Sequence, residues 1–156
     1  MNGLSIHYSL ATTLSDAEAV RNLVCEMRQL ALRQSVERVG PVIEVVKPHP
    51  IICFPVMPGK GCEIAAIGFC KLRNSWQWSY ACCTHPAIRT ENGGVENFLR
   101  SHLALIGLLD AIKQGGAVKV EAKDDGGYWQ HRDQSKLAEV AQAWNGVGNL
   151  FSEDGR

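Results

Sequence analysis

Residues 63–84 read EIAAIGFCKLRNSWQWSYACCT, two runs rich in β-branched and aromatic residues that meet at Arg73-Asn74. Runs of this composition with a two-residue junction predict a β-hairpin with a tight turn, strands over 63–72 and 75–84. The second run alternates Trp76, Trp78, Tyr80 and Cys82 with Gln77, Ser79, Ala81 and Cys83. A strand turns successive side chains to opposite faces, so its aromatic side is expected to meet a core, a pocket or a partner.

Working outward, Leu4, Ile6, Tyr8 and Leu10 alternate with Ser5, His7 and Ser9 and predict a half-buried first strand. Ser15 and Glu18 have the spacing of a capping box. Val20, Leu23, Val24, Met27, Leu30 and Ala31 then recur at helical spacing to about Ser35. Residues 36–46 are β-prone but interrupted by Gly40 and Pro41, which predicts an irregular strand. The Pro- and Gly-rich stretch 47–62 is expected to be a long loop, functional or an oligomer contact, with at most a short edge strand over 51–56.

Beyond the hairpin, an apolar periodicity predicts a second helix over 94–113, stopped by Gly115 and Gly116, and a strand over 118–123. After an acidic, glycine-rich turn, Asp133 is positioned to cap a last helix that carries Leu137, Val140, Ala141 and Trp144 and ends at Gly146, leaving a tail over 146–156. This order of elements predicts one α+β domain over 1–156, a mainly antiparallel sheet with about three helices on one face. A ferredoxin-like core with additions is the expected topology.

Balanced charge, 16 basic against 16 acidic residues, argues against a nucleic-acid or anionic-membrane partner. No apolar run is long enough for a membrane span. Met1 leads straight into strand-like alternation, so an export leader is not expected, and the six cysteines are read as free thiols of a cytoplasmic protein. Cys53, Cys62, Cys82 and Cys83 with His49 and His85 lack paired knuckle spacing, so no metal site is expected. The sequence leaves the cofactor open.

Candidate chemistry gathers over 92–129. At 100° per residue, His102 falls with Phe98, Leu105, Leu109 and Ile112 on the apolar side of the second helix. An imidazole there is either a general base held neutral by burial or a core histidine bonded to a backbone carbonyl. Asp124 and Asp125 are the carboxylates expected to orient it or to hold a cation. Glu96 and Arg100, near a glycine-flanked helix start, and Tyr128, Trp129 and His131, on the turn, are candidate substrate-binding residues. The same acidic and glycine residues also suit a plain strand-to-helix turn.

The functional expectation is a small-molecule-binding domain with its pocket between the second helix and the sheet, with His102 as acid/base catalyst if it is an enzyme. The competing expectation is a non-catalytic interaction module, a homodimer joined through the aromatic strand surface of Trp76, Trp78 and Tyr80.

Overall fold

The protein is described here by a computed structural model over residues 3–153, with side chains considered through residue 147. In chain order its elements are β1 (Ser5–Thr12), α1 (Ala17–Leu32), β2 (Arg38–Val39), β3 (Ile43–Val45), β4 (Ile51–Met57), β5 (Ala65–Leu72), β6 (Ser75–Cys83), α2 (Gly94–Gln114), β7 (Lys119–Asp124), α3 (Tyr128–His131) and α4 (Gln134–Glu153). Two 3-10 turns, His85–Ile88 and Thr90–Asn92, join β6 to α2.

The strands form one antiparallel sheet in the order β2-β4-β5-β6-β1-β7, with β3 also on β4. One face is built from alternate residues: Ile6, Tyr8 and Leu10 of β1, Trp76 and Cys82 of β6 and Val120 of β7 are all buried. Against it α1 lays Val20, Leu23, Val24, Met27 and Ala31, and α2 lays Leu105, Leu108, Leu109 and Ile112. Each fully buried aliphatic side chain contributes roughly 1.5–3 kcal/mol, so this interlayer seam is the main source of stability. A second apolar cluster, Leu4, Cys62, Ala87, Ile88, Phe98, Leu137 and Ala141, ties α4 to α2 and to the turns after β6.

The α+β class and antiparallel sheet follow the sequence reading. Three strands stand between α1 and the β5–β6 hairpin, so a ferredoxin-like assignment does not follow from this order. Several local details differ as well. The cap of α1 is Asp16, whose Oδ2 accepts the Ala19 N–H at 3.1 Å, so the Ser15/Glu18 box is not the device that starts the helix. The stretch 47–62 holds a full strand, β4, which is internal and pairs with β5 on one side and with β2 and β3 on the other. Pro55 is tolerated there because it faces the break between β2 and β3, where Gly40 donates to its carbonyl at 2.9 Å. The last helix runs through Gly146 to Glu153, since one glycine costs about 1 kcal/mol and does not by itself end a helix.

The aromatic strand is graded in exposure. Trp76 is 1 % exposed and donates its indole N–H to Ser15 O, whereas Trp78 is half-buried and Tyr80 is 37 % exposed. β5 and β6 pair only from Cys70 with Gln77 to Leu72 with Ser75. Beyond that point the Ala66 carbonyl accepts the Trp78 indole at 2.9 Å and the Tyr8 hydroxyl at 2.6 Å. These aromatics therefore close a split in their own sheet.

Candidate functional site

His102 sits in the middle of α2 with no exposed surface, and the fold brings it the carboxylate that the sequence offered. Nε2 lies 2.9 Å from Asp124 Oδ1, and Nδ1 lies 2.8 Å from Thr84 Oγ1. Asp124 arrives because β7 ends beside β1, and Thr84 because the chain leaves β6 and tightens into a 3-10 turn over Leu4. The remaining capacity of Asp124 is filled from its own turn: Gly126 N–H reaches Oδ1 at 2.8 Å and Trp129 N–H reaches Oδ2 at 3.1 Å.

Burial pushes the Asp124 carboxyl upward, but the hydrogen bond and charge of His102, with the Trp129 and Gly126 N–H groups, outweigh it and hold the group below its usual range. A carboxylate only accepts, so Nε2–H donates to it. On the other side, the single Thr84 hydroxyl hydrogen serves two arrangements. It is given to Nδ1 of a neutral ring, or to Leu4 O at 3.2 Å while the oxygen accepts from Nδ1–H of a charged ring. Leu4 O also receives the Thr84 and His85 N–H groups, at 3.0 and 3.2 Å, so neither arrangement strips it. Among the described residues no buried side-chain polar atom lacks a partner. The network is complete as it stands, which is how a buried polar cluster rigidifies a core.

The other sequence candidates lie apart from this ring. Asp125 is exposed in the turn after β7, where Oδ2 accepts Ser5 N–H of β1 at 3.3 Å and lies 3.5 Å from His7 Nε2. Trp129 packs against the main core, with the Arg132 guanidinium 4.7 Å and Lys113 Nζ 5.7 Å from its ring centre. Tyr128 joins the two apolar clusters. His131 is exposed and caps the next turn by accepting Asp133 N–H on Nδ1 at 2.9 Å. Glu96 is exposed on the first turn of α2. Gly94 N–H at that helix start is already given to Arg89 O at 3.0 Å.

Arg100 has a different use. Its Nη2 donates to Asn97 Oδ1 at 2.7 Å, and Asn97 Nδ2 in turn donates to Lys60 O at 2.8 Å and Ala87 O at 3.3 Å. One turn on, Ser101 is fully buried against Gly59, where a Cβ would sit 1.7 Å from its Oγ. Gly61 adopts φ 88° beside Asn92. These contacts bolt the β4–β5 connection to the start of α2. It is a fixed wall rather than a lid.

That wall borders a half-open cleft of about 390 Å³ lined by Glu37, Arg38, Gly40, Pro55, Met57, Lys60, Gly61 and Ile64. Pro55, Met57 and Ile64 supply apolar surface. Glu37, Arg38 and Lys60 are exposed at the rim, and none of the three makes an ion pair among the described residues. Neither His102 nor Asp124 lines it.

No group of three or more metal-ligating side chains occurs among the described residues, and the six cysteines are free. Burial pushes the Cys62 thiol up to about 11 and raises Cys53 and Cys82 too, which leaves all three protonated and poorly nucleophilic at neutral pH. No helix is long and apolar enough to cross a membrane among the described residues.

Sequence reading missed Thr84 and Ser101 and placed Asn97 on the first turn of the helix without giving it a role. The available signal was polarity at positions of α2 that share the apolar side: Asn97 and Ser101 are one helical turn apart, and both are buried. Comparison of the chain with protein families, curated proteins and solved structures found no match.

Proposed function

We propose that this α+β domain binds a small amphipathic molecule carrying an acidic group in the cleft between β2, β4 and the β4–β5 connection. The observation that carries this reading is the pairing of Arg38 and Lys60 at the rim with apolar Pro55, Met57 and Ile64 in a cleft of about 390 Å³. That volume lies in the range of small-molecule sites, and such sites combine apolar walls with a few placed polar groups. The wall carrying Lys60 is pre-formed through Asn97 and Ser101, so ordering it on binding costs little.

In this reading the Thr84–His102–Asp124 network braces the domain and performs no chemistry. Its support is that the ring has both nitrogens engaged and no surface from which a substrate could be reached. Residence in a reducing compartment belongs to the same reading, supported by six free thiols.

Calorimetric titration with octanoate, a carboxylate on an apolar tail, tests the site. Binding should be saturable, and Arg38→Ala with Lys60→Ala should weaken it by about tenfold or more, one ionic hydrogen bond being worth roughly 1.5–3 kcal/mol. Unchanged affinity in that double variant, or no uptake by the parent protein, would overturn the assignment.

A further inference from the structure

β7 closes one end of the sheet: it pairs with β1 and with no other strand among the described residues. The hydrogen bond from Asp125 N–H to Ser5 O at 3.0 Å sets the phase of the β1–β7 ladder. Narrow pairs alternate along antiparallel strands, so Lys119, Glu121 and Lys123 turn their backbone groups toward β1, while Val120 and Ala122 turn theirs outward and the Asp124 carbonyl accepts Gly127 N–H at 2.9 Å. Such an edge is a template for another strand unless something blocks it.

Charge is the usual block, and here its pattern is specific. Lys119, Glu121 and Lys123 alternate in sign along the solvent-facing side, with the Lys119 and Glu121 side chains 76 % and 68 % exposed and 3.2 Å apart, and Asp125 follows in the turn, its carboxylate held by Ser5 N–H on the β1 side. Consider a second copy laid antiparallel along this edge. A two-fold axis at Glu121 sets Lys119 against the partner's Lys123 and Glu121 against its own copy, all repulsive. An axis at Val120 matches Lys119 with Glu121 but leaves Lys123 opposite Ala117. An axis at Ala122 sets Glu121 against Lys123 twice by symmetry and brings Lys119 opposite the acidic turn that begins at Asp125. It also brings the outward backbone groups of Ala122 together as a hydrogen-bonded pair.

We propose that the protein forms a two-fold dimer by antiparallel pairing of β7 with β7, in the register centred on Ala122, continuing the sheet across both copies. The partner is a second copy because the strand's own inverted repeat sets Glu121 against Lys123 on both sides of the axis. The inference is independent of the cleft, which lies by β2 and β4 toward the other end of the sheet. It also moves the dimer contact away from Trp76, which the fold has buried.

Sedimentation equilibrium on the full chain tests this with five variants. Glu121→Lys and Lys123→Glu should each weaken association by about tenfold, because two favourable pairs per dimer become repulsive, and combining them should restore it by re-forming Lys–Glu pairs. Ala122→Pro removes an outward N–H that β1 does not use and should leave a monomer. Its circular dichroism is checked against the parent, and the charge swap stands on its own if that variant misfolds. The fifth variant, Trp78→Ala, should leave association unchanged. A monomeric parent protein, a dimer indifferent to the single charge reversals, or a double swap that fails to recover would overturn the proposal.

Discussion

Replacing Asp124 with alanine removes the only carboxylate in the sealed network and strands three donors. His102 Nε2, Gly126 N–H and Trp129 N–H now bond to Asp124 at 2.9, 2.8 and 3.1 Å. Hydrogen bonds to a charged group contribute roughly 1.5–3 kcal/mol each, but they are not additive when one side chain makes them all. Breaking a buried pair by deleting one partner costs roughly 3–5 kcal/mol, and that range is the expectation for Asp124→Ala. A domain of this size has about 5–15 kcal/mol of stability in total. The midpoint of thermal unfolding should therefore fall by roughly 6–20 °C, at 2–4 °C per kcal/mol. Urea unfolding followed by tryptophan fluorescence gives the free energy directly, and Asp124→Asn should fall between the parent and the alanine variant because one amide oxygen still accepts while the NH₂ faces a donor. A loss under about 1 kcal/mol for Asp124→Ala with the fold intact would refute the claim that this network braces the core.

Further outcomes follow from the same contacts. The folded Asp124 carboxyl ionises more readily than an unfolded one, so its stabilisation is complete above the unfolded value near 4, roughly, and drains away as pH falls through the lowered folded value. The stability gap between the parent and Asp124→Asn should accordingly narrow in acid, and a constant gap on urea curves across that range would contradict the ionised assignment. Gly59→Ala would place a Cβ 2.7 Å from Ser101 Cβ and 1.7 Å from its Oγ. It should lower stability by roughly 1–3 kcal/mol and weaken octanoate binding by shifting the cleft wall, both readable by urea titration and calorimetry. With a thiol-specific chromogenic reagent at mild alkaline pH, exposed Cys25 should react promptly while Cys62 and Cys82 stay protected until unfolding, because burial raises both thiols. Equal rates would show that the two apolar clusters burying these thiols are open.

Periodicity made the layers legible. The alternation of Ile6, Tyr8 and Leu10, the stripe on α1 and the two-residue turn at Arg73 each depend on neighbours in sequence, and each is where it was expected. The acid at Asp124 was legible as a partner for His102 because it sits at the end of a strand that must return to the sheet. What sequence concealed was long-range. Pro55 argued against an internal strand, yet it is accommodated by a break in the neighbouring strand that its own run of residues does not encode. Thr84 carries no pattern of its own, and only the 3-10 turn after β6 sets its hydroxyl against the ring. Arg100 was read as a ligand contact and instead supports the wall of the cleft through Asn97. The cleft itself draws on β2, β4 and a loop, which no single window of sequence brings together.

The most direct measurement is a two-dimensional ¹⁵N correlation spectrum of the protein during titration with octanoate, recorded with the histidine ring nitrogens in view. Shifts should concentrate at Arg38, Lys60, Gly61 and Ile64 while the His102 ring and the Gly126 and Trp129 amides stay in place. Octanoate-dependent shifts centred on His102 and those two amides, with the cleft residues silent, would contradict both the binding site and the sealed role of the ring.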